Sequence, residues 1–133
     1  MSGKILLEVV SPERMVFKGE VDIFTIPGTM GYMGILPNHA PIISSLGIGI
    51  LSIKNDGTEE KIALNGGFLE VSHNKAVVLA ETAETAADID LKRAEAAKER
   101  AEQRLAKPSD GLDLLRAEMA LKRALTRIKA VRG

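Results

Sequence analysis

Short apolar runs alternate with turn residues over the first 87 residues. Runs such as KILLEVV (4–10) and IGILSIK (48–54) end at Gly, Pro or Asn. Asn55-Asp56-Gly57 and His73-Asn74 each separate two such runs by two or three residues, which is typical of a β-hairpin. No segment between the runs is long enough for a crossover helix, which disfavours a parallel βαβ sheet. The pattern therefore predicts an antiparallel β-sandwich or a flattened barrel.

The period of the apolar residues changes from two to 3.6 after Glu84. Residues 85–107 contain no Gly or Pro, KPSDG (Lys107 to Gly111) interrupts the chain, and a second uninterrupted run continues to Val131. Two runs of similar length joined by a short turn predict an antiparallel helical hairpin. The predicted fold class is therefore α+β, with a β-sandwich domain at 1–87 and a helical hairpin at 88–133.

The apolar stripes of the two predicted helices differ in side-chain size. The stripe of the second helix is Leu114, Ala117, Leu121, Leu125, Ile128 and Val131, and that of the first is Ala94, Ala97, Ala101 and Leu105. Small side chains bury little apolar area, and stabilisation scales at about 25 cal/mol per Å². We therefore expect a weakly held hairpin that can undock from the sandwich.

Charge is distributed unevenly between the two predicted parts, although the formal net charge is zero. Residues 1–87 carry six Lys/Arg and ten Asp/Glu, a net charge of −4, and residues 88–133 carry twelve and eight, a net charge of +4. The second part therefore favours anionic partners. The chain has no Cys, no apolar run of membrane-spanning length and no signal-peptide pattern, which predicts a soluble intracellular protein.

Three arginines recur at the same offsets in two similar segments, IDLKRAEAAKERAEQR (89–104) and LDLLRAEMALKRALTR (112–127). They are Arg93, Arg100 and Arg104 in the first and Arg116, Arg123 and Arg127 in the second. Offsets of 0, 7 and 11 fall within a sector of about 40° on a helix. Each helix thus carries its three arginines in one row, here called a basic ridge. Each ridge is either a face that contacts solvent or protein, with nearby Glu side chains as partners, or half of a site for a polyphosphate. The planar arginine fork suits a phosphate because it donates two parallel hydrogen bonds.

The chain resembles the epsilon-subunit family of F-type ATP synthases over nearly its whole length. The segments that carry the resemblance are GILPNHAP (34–41), NGGFLEV (65–71), DIDLKRA (88–94) and RAEMALKRALTRI (116–128). The resemblance implies a non-catalytic rotor subunit of the central stalk that couples proton flow to ATP synthesis. The gamma subunit and the c-ring are the implied partners, and the catalytic alpha/beta head is contacted when the hairpin extends and restrains ATP hydrolysis.

The bacillus branch of that family binds ATP on the folded hairpin through the pattern Ile/Leu-Asp-x-x-Arg-Ala, which IDLKRA fits. The resemblance implies regulatory ATP, with or without Mg²⁺, as ligand and no catalytic cofactor. The implied ATP-binding residues are Glu84, Ile89, Asp90, Arg93, Ala94, Arg100, Arg123 and Arg127. Asp90 also suits a helix N-cap. LDLLRA, from Leu112, fits the same short pattern, and the position of the first copy directly after the sandwich favours that copy.

The resemblance also places the loop around GILPNHAP at the end that meets the c-ring, with Tyr32, Met33 and His39 as contact residues. Tyr32 stands where many relatives carry an acidic residue. The glycines of this loop are not followed by the Gly-Lys-Ser/Thr ending of a phosphate loop. His39 and His73, the only histidines, show no metal-site or triad spacing, and no catalytic residue is expected.

Two alternatives remain beside an ATP-sensing hairpin. The same subunit inhibits through its basic helices without useful ATP binding, or the chain is a free-standing hairpin that binds anions or nucleic acid. Zero net charge and 3% aromatic residues disfavour nucleic acid as a partner. By resemblance, the expected location is the cytoplasmic face of the bacterial plasma membrane, with membrane association only through the complex.

Overall fold

Seven β-strands are followed by two α-helices in the computed structural model, which describes residues 3–107 and 111–133. The strands are β1 (Ile5–Val10), β2 (Met15–Val21), β3 (Ile23–Gly28), β4 (Gly31–Ile35), β5 (Ile42–Asn55), β6 (Thr58–Ser72) and β7 (Lys75–Thr85). A 3₁₀ turn (Ala86–Asp88) then leads to α1 (Leu91–Ala106) and α2 (Gly111–Arg132). The predicted α+β class, a β-sandwich followed by two helices, is confirmed.

The strands form one sheet in the order β2-β1-β7-β6-β5-β3-β4. Strands β2 and β5 are not neighbours in this order but lie in contact, so the sheet folds over into a sandwich. The apolar core lies between the two layers and includes the fully buried Phe24, Ile5, Leu7 and Ile62. All neighbouring pairs are antiparallel except β1 and β7. Runs and turns alone did not predict this parallel pair, because it joins strands far apart in the sequence.

The sheet bends where β5 and β6 change layers. Gly66 and Gly67 have φ angles of 76° and 126°, a backbone region that favours glycine. A Cβ added to Gly67 would lie 2.1 Å from the Leu79 carbonyl oxygen. The two glycines therefore permit a bend that continues β6 through NGGFLEV. For this reason the apolar runs EKIALN (60–65) and GFLEVS (67–72), which the intervening glycines make look like two strands, form the single strand β6.

Both predicted hairpin turns are present. Asn55 pairs with Thr58 and Ser72 with Lys75, and His73 and Asn74 have φ angles of 52° and 59°. Strands β2 and β4 were not recognised, because β2 has exposed and buried residues in irregular order and β4 contains two glycines among five residues.

The two helices pack against each other, and α2 also contacts β5 and β6. Arg132, at the end of α2, donates to Glu95, near the start of α1, at 2.6 Å, so the helices are antiparallel. The predicted turn Lys107–Gly111 falls mainly on residues 108–110, which lie outside the described residues. The α2 docking surface is small: Ala130 packs with Ile50, Ala63 and Ile89.

The predicted apolar stripe of α2 is wrong at one position. Leu125 is 45% exposed, whereas Ala117, Ala124 and Ala130 are buried. Alanine allows the α2 backbone to approach its neighbours closely, so the buried face follows the small residues and Leu125 borders an open groove between α2 and the sheet. In α1 the buried residues are Ala94 and Ala101, as the small-residue stripe predicts.

Candidate functional site

The start of α1 is fixed by Asp90. Asp90 has an extended backbone, and its Oδ1 accepts a hydrogen bond from the Arg93 amide at 3.1 Å. An N-cap aspartate satisfies one of the helix's free amides and carries charge where the helix dipole favours an anion. The N-cap interpretation of Asp90 is therefore confirmed. The cap orients the first turn of α1, which carries Arg93.

The connector between β7 and α1, residues 86–90, is held by Asp88. Its Oδ2 accepts from the Thr85 amide and the Thr85 hydroxyl, both at 3.0 Å, and Arg14 of the β1–β2 turn forms an ion pair with the same carboxylate. The Thr85 amide and hydroxyl, followed by Arg14, hold the pKa of Asp88 below its ordinary value. The connector is thus anchored to the sandwich as well as to its own backbone.

A cleft of about 320 Å³ lies where the connector, α1 and α2 meet. Its volume is within the range of about 300–1,000 Å³ common for small-molecule sites. The lining residues are Glu84, Asp88, Ile89, Asp90, Arg93, Ala94, Ala97, Arg100 and Arg127. Seven of the eight residues singled out from the sequence as ATP-binding lie here, and the eighth, Arg123, does not. The fold thus brings together side chains from β7, the connector and both helices.

One of the three arginines in the cleft forms an ion pair within the described part of the chain, and the other two do not. Arg127 Nε donates to Glu84 Oε1 at 2.6 Å, an ion pair that joins α2 to β7. Within residues 3–107 and 111–133, Arg93 and Arg100 have no carboxylate within 4.0 Å, and both side chains are exposed. Two guanidinium groups, about two turns apart on one face of α1, are therefore available to an anion.

Arg123 lies beside a second, much smaller cavity of about 10 Å³. This volume suits a single water molecule. The cavity is lined by Ala63, Leu64, Asn65, Thr82, Glu84, Arg123, Thr126 and Arg127. Glu84 and Arg127 border both cavities, so Arg123 sits behind the ion pair rather than in the cleft.

Some residues of the site were not singled out from the sequence. Asp88 and Ala97 line the cleft, and Asp88 was present in the quoted segment DIDLKRA. Arg14 carried no sequence signal, because 74 residues separate it from Asp88. Arg104 and Arg116 are exposed and line neither cavity.

The three residues predicted to contact the c-ring have different environments. The Tyr32 side chain is 61% exposed, and its hydroxyl accepts from the Ile50 amide at 2.9 Å. Met33 is partly buried against the core, and His39 is partly exposed, with Nδ1 2.7 Å from the Ala40 carbonyl oxygen. The contact of these residues with a ring stays a prediction. No helix in the described part of the chain is long and apolar enough to cross a membrane.

Comparison with known families divides the chain at the connector. Residues 4–86 match the family described as ATP synthase, Delta/Epsilon chain, beta-sandwich domain. Residues 87–132 match ATP synthase, Delta/Epsilon chain, long alpha-helix domain. Together the two matches span both parts of the fold.

Individual proteins are similar over almost the whole chain. The ATP synthase epsilon chain of Desulfitobacterium hafniense (strain Y51) is 54% identical over 133 residues, covering 100% of both chains. That of Pelotomaculum thermopropionicum is 56% identical over 124 residues, covering 93% of this chain and 92% of the relative.

A solved structure has the same fold. A chain in the cryo-EM structure of the Euglena gracilis mitochondrial ATP synthase superposes with a TM-score of 0.83 at 22% identity, covering 98% of this chain and 82% of that one.

Proposed function

Because the chain belongs to the ATP synthase delta/epsilon family, we propose that its helical hairpin binds ATP when folded and inhibits ATP hydrolysis when extended. The chain is an epsilon subunit, a non-catalytic component of the central stalk of the F-type synthase. ATP is then a regulatory ligand, bound with or without Mg²⁺. The cleft at the base of the folded hairpin is the observation that carries this proposal.

The cleft offers a nucleotide three arginines for its phosphates, beside the carboxylates of Glu84, Asp88 and Asp90. Arg93 and Arg100 project from α1 and Arg127 from α2, so a triphosphate would bridge the two helices. Charge-assisted hydrogen bonds from guanidinium groups contribute about 1.5–3 kcal/mol each. Ile89, Ala94 and Ala97 provide an apolar wall suited to a base.

The same contacts give the ligand a preference for the folded state. Arg127 joins the cleft only while α2 lies against the sandwich, where it pairs with Glu84. A ligand shifts an equilibrium only by its differential affinity for the two states, and a change from 1:99 to 99:1 requires about 5.5 kcal/mol. Hydrogen bonds from the Arg127 guanidinium to a phosphate, made only in the folded state, contribute toward that difference. ATP therefore acts by holding a weakly docked hairpin down.

The stalk partners are assigned to separate surfaces of the sandwich. An exposed apolar row crosses the outer sheet face, where Phe68 pairs with Leu79, Leu79 with Val10 and Val10 with Met15. We assign this row to the gamma subunit, because exposed apolar patches commonly mark interfaces. The β3–β4 end, with Tyr32, Met33 and His39, is assigned to the c-ring.

The basic ridges serve a third partner when the hairpin extends. Arg104 and Arg116 are exposed and lie outside the cleft, so they remain free for acidic surfaces of the alpha/beta head. Membrane association arises only through the complex, at the cytoplasmic face of the bacterial plasma membrane. Because both halves of the chain match one family, the alternative of a free-standing nucleic-acid-binding hairpin is set aside.

The proposal is tested by titrating the isolated chain with ATP in a calorimeter. Removing the Arg93 or Arg100 guanidinium by substitution with Ala is expected to weaken ATP binding about 10- to 100-fold, from the loss of one charge-assisted hydrogen bond. Arg116→Ala, on an exposed helix position outside the cleft, is the matched control and keeps wild-type affinity.

Two outcomes separate the remaining possibilities. Saturable binding lost in the cleft variants and kept in the control supports the sensor. Absence of binding at millimolar ATP contradicts it and favours the alternative in which the basic helices inhibit without useful ATP affinity. Neither outcome changes the family assignment.

A further inference from the structure

The β3–β4 hairpin leaves a gap in the sheet beside β5. Thr25 pairs with Ser52 and Gly28 with Leu46, so Ile26 and Pro27 face the five residues Gly47–Leu51. Pro27 has no amide hydrogen to donate across this gap. In this stretch β5 departs from its neighbour, and the regular ladder between the two strands is interrupted.

Tyr32 spans the gap. It lies on the edge strand β4, opposite Pro27, and its hydroxyl oxygen accepts the Ile50 amide hydrogen of β5 at 2.9 Å. The side chain therefore crosses β3 to reach the next strand. Its hydroxyl supplies an acceptor for the Ile50 amide within the stretch where the β3–β5 ladder is interrupted.

Gly49 makes room for this crossing. A Cβ at Gly49 would lie 2.4 Å from the Tyr32 hydroxyl oxygen and 2.8 Å from the Pro27 Cβ. Both distances are below van der Waals contact, so the buried Gly49 is compatible with Tyr32 and Pro27 only because it has no side chain. Tyr32, Pro27 and Gly49 thus form one packed unit, here called the brace.

The brace fixes the direction of the hairpin tip. On the other side of the gap, the Thr29 amide donates to the Ser45 carbonyl at 3.1 Å, and the two side-chain hydroxyls are 2.9 Å apart. The tip residue Met30 is 99% exposed. An unbranched thioether held in full solvent exposure on an anchored two-residue turn suits an apolar partner surface.

We infer that Tyr32 is a positioning residue for the ring-facing end of the sandwich and that Met30 makes the contact. The tyrosine hydroxyl is used within the chain, and the methionine side chain meets an apolar surface of the partner. The identity of that partner as the c-ring rests on the proposed function, whereas the brace does not.

The brace is tested in the isolated chain by amide hydrogen exchange. Tyr32→Phe removes only the hydroxyl, and exchange at Ile50 is expected to rise about three- to tenfold, the range for loss of one neutral hydrogen bond. Exchange at Ile53 in the same strand, which pairs with Phe24, is the internal control and stays unchanged. Met30→Ser also leaves Ile50 unchanged. Equal Ile50 exchange in the wild type and in Tyr32→Phe would overturn the brace.

The contact is tested in the assembled synthase, using the absence of cysteine from the chain. Met30→Cys labelled with a photoreactive maleimide is expected to cross-link to the ring subunit, as identified by mass spectrometry. Met15→Cys, an exposed methionine position on β2, is the matched control and gives no ring product. Adding Tyr32→Phe lowers the Met30→Cys yield at unchanged melting temperature.

The two experiments fail separately. Cross-linking of Met30→Cys to a subunit other than the ring overturns the partner assignment and leaves the Ile50 result intact. Ring cross-linking that is unaffected by Tyr32→Phe overturns the positioning role, even where the ring contact itself is confirmed.

Discussion

Single residues at the connector have two roles, one in the fold and one at the cleft. Asp90 caps α1 and lines the cleft, and Asp88 holds the connector and lines the same cleft. Sequence alone predicted Asp90 from the IDLKRA pattern and from the cap preference. It did not predict the Arg14–Asp88 ion pair, because a contact between distant residues depends on the sheet topology that brings β1 beside β7.

Substitutions at Asp90 separate its two roles. Asp90→Asn keeps an oxygen acceptor for the Arg93 amide, so helix α1 retains its stability, whereas Asp90→Ala costs about 1 kcal/mol through loss of the cap. Thermal unfolding measures how much the cap stabilises the fold. ATP titration measures how much the Asp90 charge contributes to binding. Wild-type ATP affinity in Asp90→Asn assigns the residue to the cap alone. Reduced affinity at unchanged melting temperature assigns a ligand contact to its charge.

The Asp88 carboxylate gives a pH dependence at the acid end. Its pKa is lowered first by the Thr85 amide and hydroxyl and then by Arg14. The stabilisation is therefore complete above the ordinary aspartate pKa of about 3.9 and is lost as the pH falls through the lowered value. In an NMR titration, Arg14→Gln is expected to raise the Asp88 pKa, whereas Arg132→Gln, which removes the pair with Glu95 within the hairpin, leaves it unchanged. Equal Asp88 midpoints in the wild type and in Arg14→Gln would show that Arg14 does not stabilise the carboxylate.

At the scale of elements, hydrophobic period distinguished strands from helices but did not define the layers. The turns at Asp56-Gly57 and His73-Asn74 followed from local turn chemistry. The continuity of β6 through Gly66 and Gly67 did not, because two glycines in sequence are as typical of a loop as of a bend. The exposure of Leu125 likewise depends on which face of α2 meets the sandwich, which the periodicity of one helix does not determine.

The bend at Gly67 predicts that alanine destabilises the fold there but not at a glycine outside the bend. Gly67→Ala is expected to destabilise the fold by at least about 2 kcal/mol, since the new Cβ meets the Leu79 carbonyl and the φ angle is unfavourable. Gly47→Ala, where an added Cβ meets nothing within 4 Å, is the control and changes stability little. Urea unfolding of both variants measures the difference. A fully stable Gly67→Ala would mean that the bend lies elsewhere.

At the scale of the whole molecule, the sandwich and the hairpin differ in how much apolar surface they bury. The sandwich encloses a large apolar core, whereas α2 contributes Ala130 to a small cluster with Ile50, Ala63 and Ile89. Two ion pairs, Arg127–Glu84 and Arg14–Asp88, cross between the two parts. Partly exposed ion pairs contribute about 0–1 kcal/mol each. We therefore expect release of the hairpin to cost little free energy, so that the proposed ligand at the junction controls it.

The most direct test of ligand control measures the position of the hairpin in solution. A fluorophore pair on Met15→Cys in the sandwich and Leu115→Cys in α2, both exposed positions, reports the distance between the two parts. ATP is expected to increase the folded population of the wild-type chain and to leave that of Arg93→Ala/Arg100→Ala unchanged. An ATP-independent population in the wild-type chain, at ATP concentrations that saturate binding, would contradict the account.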